Sequence, residues 1–245
     1  MKKKIQLIIP VAGPNNEFSK LGNHKLLLDI NKKKLIQWVQ LSRPYDLSKG
    51  LFIFHKAHEK KYDLVKNISR ALGKKIKFHL LDQFTEGSPQ TVMKVQKLIS
   101  LDQPILIDLL DQYLDLKKFY EYCLEKNFDG CVPIFQSLYF DRGYALMDTK
   151  NNIKKISEKD KIPISTNSTG CVSYFKKAKD FFYFSDLMIK NKKKSSNGKY
   201  MITLVYNEMI KKKYKIKGYN CEFVTSLGSV NSIKSFYENC RLIKY

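Results

Sequence analysis

The residues that suit phosphate chemistry best come early in the chain, in a loop after an apolar segment. Gly13 follows the apolar run at 5–10, and Lys25 stands near the end of the same loop. Backbone N–H groups beside a glycine can bind phosphate oxygens without a side chain in the way, and an ammonium group adds a compact positive charge. The stretch therefore has the composition of a phosphate-binding loop, although a surface loop with one lysine would have the same composition.

An acid near the end of a second apolar run is the next candidate. Asp111 follows the strand-like part of PILIDLLDQYLDL at 104–116. A carboxylate there would be costly unless it met a cation or hydrogen-bond donors. A Mg²⁺ ion that bridges phosphate oxygens and is held by one or two carboxylates would be a suitable partner. A turn or helix cap is the alternative role for Asp111.

Two further segments carry weaker signals. TEGSPQTV at 85–92 combines a turn with a helix start, whose free N–H groups could bind a base edge or a sugar hydroxyl. EKDK at 158–161 places acids beside lysines, as exposed surfaces commonly do. Taken alone, each segment is typical of an ordinary turn or surface loop.

The charge of the chain is large and comes mostly from lysine. The formal net charge is +22 over 245 residues, and only four of the basic residues are arginines. Base readout and bidentate phosphate binding favour arginine, so the charge alone does not indicate a nucleic-acid-binding protein. We expect mainly a solvated lysine surface, with attraction to anionic substrates, lipid or nucleic acid as the alternatives.

The remaining composition indicates a folded cytoplasmic protein. Hydrophobic residues make up 43% of the chain, and no run approaches the length of a membrane span. The five cysteines are scattered, form no CxxC pair and do not stand with the four histidines at metal-ligand spacing. We expect them to be reduced core residues.

Apolar strand patterns alternate with amphipathic helix patterns in the first half, which predicts an α/β fold. We expect a single domain over 1–245, with a strand at 26–30 and one helix over 59–72 among its elements. In open α/β sheets ligands bind outside the carboxyl ends of the strands. The loop after the first strand, the stretch 83–90 and Asp111 should therefore converge.

Five segments in this order resemble the sugar nucleotidyltransferases, or NDP-sugar pyrophosphorylases, of the branch that serves capsule and cell-surface polysaccharides. IIPVAGPNNEFSKLGNHKLLLDI is similar to that family's opening AG-x-GxRF…KP-x-x-x-V. The other four are TEGSPQTVMKVQKLI, PILIDLLDQYLDL, SEKDKIPISTNSTGCVSYF and NGKYMITLVYNEMI.

The resemblance implies a Rossmann-like (GT-A-like) three-layer, mostly parallel sheet with an inserted small β region that binds sugar. It also implies a Mg²⁺-dependent enzyme that joins a nucleoside triphosphate to a sugar 1-phosphate and releases pyrophosphate. Lys25 and Asp111 would then be catalytic, with Asp111 the metal ligand. Ala12, Gly13, Gln83 and Gly87 would bind the nucleotide, and Glu158, Lys159 and Gly170 the sugar phosphate.

The sequence departs from the family pattern at several of these motifs. The second loop glycine is Asn15, the signature arginine is Glu17, and the proline after the signature lysine is Leu26. The acid of the NGE motif is Lys199, and Ser226 stands where a second acid often occurs. Loss of one transition-state charge contact costs about 3–4 kcal/mol, so we expect a nucleotide site without its activating charge.

Three functions therefore compete on sequence grounds. The first is nucleotidyl transfer to a phosphorylated sugar or a similar small phosphate. The second is glycosyl transfer from a nucleotide-sugar donor, and the third is a non-catalytic nucleotide- or sugar-binding role. The expected partners are a nucleoside triphosphate and a phosphorylated sugar, with no nucleic acid and no transmembrane segment; the base, the sugar and the oligomeric state stay open.

Overall fold

One ten-stranded sheet carries the fold in this structure, a computed structural model that describes residues 5–125 and 127–240. The strands of the described residues are β1 (Gln6–Pro10), β2 (Asp29–Ile30), β3 (Lys33–Lys34), β4 (Leu51–His55), β5 (Lys77–Leu81), β6 (Ile105–Asp108), β7 (Gln112–Leu114), β8 (Gly130–Gln136), β9 (Gly143–Met147), β10 (Ile153–Glu158), β11 (Asn167–Thr169), β12 (Val172–Phe175), β13 (Ile216–Asn220) and β14 (Val224–Ser226). The helices are α1 (Asn16–Ser19), α2 (Leu35–Leu41), α3 (Lys56–Tyr62), α4 (Leu64–Leu72), α5 (Ser88–Met93), α6 (Phe119–Glu125), α7 (Ala178–Lys190), α8 (Val205–Lys211) and α9 (Val230–Asn239).

The first half of the chain forms a parallel sheet in the order β5-β4-β1-β6. Its strands β4, β1 and β6 are largely apolar on both faces, as helices on both sides require. Ile8, Ile53 and Ile107 face the layer that contains α5, α7 and α8. Ile9 and Phe54 face the opposite layer, which contains α2, α4 and α9. The predicted three-layer α/β fold is therefore confirmed.

The second half extends the same sheet with mostly antiparallel strands. β12 pairs antiparallel with β6 and with β8, and β11 pairs antiparallel with β8 and β9. β9 and β10 form a hairpin with an irregular register between Ile153 and Lys155. These strands make up the inserted β region that the sequence implies. Across the described part of the chain, no helix is long and apolar enough to cross a membrane.

Two predicted elements are wrong in detail. The apolar stretch at 26–30 is not a strand throughout: Lys25–Leu27 is a 3-10 turn, and the strand covers Asp29–Ile30 alone. Leu26 is fully buried, so its apolar character reflects a turn packed into the core. The predicted helix 59–72 is two helices, because Asp63 adopts a left-handed conformation at φ 48° between α3 and α4.

Candidate active site

The main cleft lies where two strands meet the same edge of an extended run at 167–175. Ser168 in this run pairs with Tyr144 of β9, and Val172 pairs with Asp108 of β6. Tyr144 and Asp108 both lie on the edge of this run opposite β8. Ser168 and Val172, which pair with them, are four residues apart, or about 13 Å along an extended chain. A cleft of about 780 Å³ occupies the gap between β6 and β9.

The near wall of this cleft consists of Asp111, Gln112, Thr225 and Ser226. It is assembled by pairing of β7 with β14, which sets Ser226 opposite Gln112. The Leu227 N–H donates a hydrogen bond of 2.7 Å to the Asp111 carbonyl oxygen. This pairing brings the C-terminal segment beside the acid that follows β6.

Lys25 lies against Asp111; both are predicted catalytic residues. Its Nζ contacts the Asp111 Oδ1 directly. The lysine side chain is 11% exposed and the aspartate side chain 45% exposed, so only the acid opens to the cleft. The Lys25 N–H also donates to the Asn15 side-chain oxygen at 3.3 Å. Asn15 therefore holds the lysine end of the loop at the position where a glycine was expected.

A buried ion pair beneath the near wall fixes the end of β6. The Arg43 guanidinium donates to both carboxylate oxygens of Asp108, at 2.6 and 3.1 Å, and the Tyr45 hydroxyl donates to the same group at 2.8 Å. Arg43 also donates to the Gln112 carbonyl oxygen at 3.1 Å. Burial raises the pKa of Tyr45, so its hydroxyl stays a donor at neutral pH. This network positions the turn that carries Asp111.

The acid in the loop, Glu17, is tied to the last helix. Its Oε2 accepts a hydrogen bond of 3.2 Å from the backbone N–H of Val230, the first residue of α9. The carboxylate therefore lies at the positive end of a helix dipole, where an anion is stabilised. Glu17 does not line the cleft among the described residues. Its charge serves a contact between the loop and α9.

The four predicted nucleotide-binding residues lie outside this cleft. Ala12 is buried in the core, whereas Gly13 is exposed, and a β-carbon on Gly13 would meet no atom within 4 Å. Gln83 is also exposed. A β-carbon on Gly87 would lie 2.0 Å from the Tyr200 carbonyl oxygen. Gly87 is therefore required by close backbone packing, and Gly13 is not required by packing.

The far wall consists of the loop 139–143 with Glu158 and Lys159. Glu158 is 5% exposed, and its Oε1 contacts the Thr203 hydroxyl. Burial raises the pKa of Glu158 to about 7, although the Thr203 hydrogen bond and the Lys159 charge oppose the shift. Glu158 can therefore hold or donate a proton inside the cleft near neutral pH.

Lys159 and Gly170 are the other two residues predicted to bind the sugar phosphate. Lys159 donates to the carboxylate and the carbonyl oxygen of Asp141, at 2.8 and 2.6 Å. Gly170 lies in the cleft wall between β11 and β12, where a β-carbon would come within 2.9 Å of Pro133. The cleft thus brings together Asp111, Glu158, Lys159 and Gly170.

Two residues of this site were missed by the sequence analysis. A β-carbon on Gly143 would lie 2.4 Å from the Glu158 Oε1, so glycine leaves the room that the acid occupies. Gly143 pairs directly with Glu158 across the β9–β10 hairpin, and that register is a signal that hairpin pairing could have supplied. Thr203 lies within the fifth motif segment, but its contact with Glu158 joins residues 45 positions apart.

The cleft also contains a cysteine thiol, Cys171, and a carboxylate that could contact a metal ion, Asp111. Cys171 lines it, and burial raises the pKa of its thiol to about 12, so the thiol is protonated at neutral pH. Within 5–125 and 127–240, no group of three or more His, Cys, Asp or Glu side chains is placed to hold a metal ion. Asp111 is the most accessible carboxylate of the near wall.

Comparison with solved structures supports the same fold. No protein-family model and no curated protein matches the sequence. A nucleoside-diphosphate-sugar pyrophosphorylase from Vibrio cholerae RC9 superposes with a TM-score of 0.81 and 21% identity, over 95% of this chain and 100% of that one. A putative glucose-1-phosphate thymidylyltransferase from Bacillus anthracis, solved with a sucrose, gives 0.78 and 18%, over 99% and 97%.

A third solved structure, a UDP-glucose pyrophosphorylase complexed with UDP-glucose, gives a TM-score of 0.76 and 16% identity over 98% of this chain and 99% of that one. In all three comparisons the superposition includes both halves of the sheet. Over nearly its whole length, the chain has the fold of solved nucleotide-sugar pyrophosphorylases.

Proposed function

We propose that this protein transfers a nucleotidyl group from a nucleoside triphosphate to a phosphorylated sugar or a similar small phosphate. The observation that carries the proposal is the cleft between β6 and β9. It sets Asp111, with Lys25 behind it, in one wall and Glu158 and Lys159 in the other. The solved structures with this fold act, by their descriptions, on nucleotides and sugars.

The reaction would be an in-line substitution at the α-phosphorus of the triphosphate. A phosphate oxygen of the acceptor forms the new P–O bond, and the bond to the leaving pyrophosphate breaks. The protein would contribute mainly by positioning and by neutralising charge. Lys25 would supply an ammonium beside the phosphates, and Glu158 would hold a hydroxyl of the acceptor. The product would be a nucleotide-activated precursor, such as surface polysaccharide synthesis requires.

The donor set of the near wall fits a Mg²⁺ ion that arrives with the triphosphate. One or two carboxylates together with substrate phosphates are the usual ligands of Mg²⁺. Asp111 would be the protein ligand, and the Ser226 hydroxyl lies in the same wall. Because Lys25 already contacts Asp111, the site without nucleotide is neutralised by the chain itself. Bound Mg²⁺ would supply charge neutralisation at the phosphates.

The contact between Glu17 and α9 favours the two alternatives that do not require a triphosphate. The loop at 11–24 has Lys20 as its single basic residue apart from His24, and the expected arginine is replaced by an acid that binds Val230. A glycosyltransferase that binds a nucleotide-sugar diphosphate donor would tolerate that loss better than an enzyme that must bind a triphosphate. A non-catalytic binding role would tolerate it as well.

Pyrophosphate release tests the proposal directly. Purified protein is incubated with Mg²⁺, each of the four common nucleoside triphosphates, and a pool of sugar and polyol phosphates, and products are identified by mass. A nucleotide-linked product is expected with one triphosphate. Asp111→Asn should lower its formation at least about a hundredfold. Asp115→Asn is the matched control, because the side chain of that acid accepts a local N–H from Lys117.

The outcomes separate the competing functions. Absence of product with every triphosphate, in protein shown to be folded, would exclude the proposed transfer. Hydrolysis or transfer of a nucleotide-sugar would then support the glycosyltransferase. Glu17→Arg restores the cation that the loop lacks at this position, and we expect faster pyrophosphate release. An unchanged or slower rate would contradict our alignment of the loop.

A further inference from the structure

Arg142 lines the far wall of the cleft and, among the described residues, has no carboxylate partner. Its guanidinium lies over the rings of Phe135 and Tyr139, at 5.2 and 5.5 Å from their centroids. A guanidinium over an aromatic face keeps its in-plane N–H donors available, because the ring contacts only the face of the cation. Among the described residues, it makes no ion pair.

The other charged groups of the cleft are already occupied. Asp111 is paired with Lys25, and Asp141 is paired with Lys159. Glu158 is buried against Thr203. Arg142 is consequently the cation of the cleft whose charge is not balanced by a neighbouring side chain.

The other arginines have different situations. Arg43 is buried with Asp108 beneath the near wall, and Arg70 is exposed on α4, away from the residues that line the cleft. Arg241 lies outside the described residues. Arg142 thus has a location in the cleft that no other described arginine shares.

The position of Arg142 separates it from the proposed site of reaction. It precedes Gly143, which pairs with Glu158 at the start of the β9–β10 hairpin, and its carbonyl oxygen accepts from the Lys159 N–H at 3.1 Å. Asp111 lies in the near wall, on the other side of the cleft between β6 and β9. A phosphate that reacts beside Asp111 would therefore leave the opposite end of the acceptor facing Arg142.

We propose that Arg142 binds a second acidic group, a carboxylate or a phosphate, at the end of the acceptor remote from its reacting phosphate. The acceptor class is then an acidic sugar phosphate or a bisphosphate rather than a neutral sugar phosphate. This inference rests on the proposed function, because it takes the acceptor to span the cleft from Asp111 to the far wall. Arg142 acts as a specificity-determining residue and takes no part in bond formation.

Calorimetric titration with three matched probes tests this role. The probes are glucose 1-phosphate, glucuronic acid 1-phosphate and glucose 1,6-bisphosphate, which differ only in the group at carbon 6. We expect the wild-type protein to bind at least one acidic probe about tenfold or more tightly than the neutral one, and the better probe identifies the carboxylate or the phosphate. Arg142→Gln should lower that affinity by about tenfold to a hundredfold and leave glucose 1-phosphate within about twofold.

Two further variants keep the test independent of folding. Arg142→Lys retains the charge but not the bidentate geometry, and should recover part of the affinity for the acidic probe. Arg70→Gln, on the outer face of α4, should bind all three probes like the wild type. Thermal unfolding of each variant shows that the proteins compared are folded.

Each outcome decides the inference. Equal losses for all three probes in Arg142→Gln would show that Arg142 binds the reacting phosphate and would overturn the second acidic group. Equal wild-type affinities, or no binding of any probe, would overturn it as well. Nucleotidyl transfer with no preference for acidic acceptors would support the proposed function and overturn this inference. Tighter binding of the acidic probes without nucleotidyl transfer would support a second acidic group at Arg142 and overturn the proposed function.

Discussion

Asp108 and Asp111 lie three residues apart at the end of β6, yet their surroundings are opposite. Asp108 is fully buried, and Arg43, Tyr45 and the Leu110 N–H satisfy its oxygens. Asp111 contacts the Lys25 side chain and is 45% exposed. Both acids have a cation partner, so the presence of an ion pair does not distinguish them.

Burial is what separates the two pairs. A buried charge whose partner is removed is left uncompensated at high cost, whereas a half-exposed carboxylate that loses its partner is screened by water. The Arg43–Asp108 pair therefore fixes the strand end and cannot be exchanged for a ligand. In the Lys25–Asp111 pair the carboxylate is 45% exposed, so it can meet a ligand from the cleft while Lys25 stays behind it.

Removal of the buried charge should have the largest effect on stability. Asp108→Asn leaves the Arg43 guanidinium uncompensated in the core, and we expect the free energy of unfolding to fall by about 3–5 kcal/mol. Urea unfolding followed by circular dichroism measures the change. Asp111→Asn is the matched control and should cost less, because the Asp111 carboxylate is 45% exposed whereas both partners of the Arg43–Asp108 pair are fully buried. Similar losses in both variants would contradict the distinction.

Glu158 sharpens the comparison, because it is buried like Asp108 but has no ion pair among the described residues. Its folded-state pKa of about 7, against 4.5 when exposed, means that the folded state binds the extra proton between these values. Stability should therefore fall as the pH rises from about 4.5 to about 7, by about 3 kcal/mol in total.

Glu158→Gln removes this titration while it keeps the shape of the side chain. Urea unfolding at pH 5, 6, 7 and 8 should show the wild type losing stability relative to this variant as the pH rises. The Thr203 contact lowers the pKa of Glu158, so Thr203→Val should move the loss to higher pH. A difference between wild type and Glu158→Gln that is independent of pH would exclude a proton on Glu158 near neutrality.

Removal of Lys25 should change the rate more than the stability, because the partner that remains is half-exposed. Lys25→Gln removes an ammonium from the phosphates, and pyrophosphate release should fall by about a hundredfold. The free energy of unfolding should change by no more than about 1 kcal/mol, since the partner Asp111 is open to water. Lys20→Gln, in the same loop but exposed, controls for the loss of charge. A large loss of stability in Lys25→Gln would show that this pair is structural like the pair at Asp108.

The sequence was sufficient to predict the layers and the acid at the strand end. Continuous apolar strands such as the one at 105–108 predict a sheet covered on both faces, and Asp111 stood out as a carboxylate after such a strand. Both signals are local, because they depend on neighbours within one strand. The 3-10 turn at Lys25–Leu27 was missed for the same reason, since its apolar residues are buried by distant partners.

The shape of the cleft could not be predicted from local pattern. The strand at 167–169 is short and polar, and its placement between β8 and β9 depends on pairings with residues more than twenty positions away. Arg142 has no motif around it, and the contact of Glu17 with Val230 joins residues 213 positions apart. In each case a partner from another part of the chain determines what the residue does.

Glu17 gives the smallest expected effect and the sharpest contrast with Asp111, because its partner is a helix end instead of a cation. Glu17→Gln keeps a hydrogen-bond acceptor but removes the charge at the N-terminus of α9, so the free energy of unfolding should fall by about 0.5–1 kcal/mol. Glu238, in the last turn of the same helix, is the matched control, because an acid there opposes the dipole. Urea unfolding at low salt should show Glu238→Gln unchanged or slightly stabilised. Equal losses in both variants would mean that the charge of Glu17 does not act through α9, and its place in the loop would then need a different explanation.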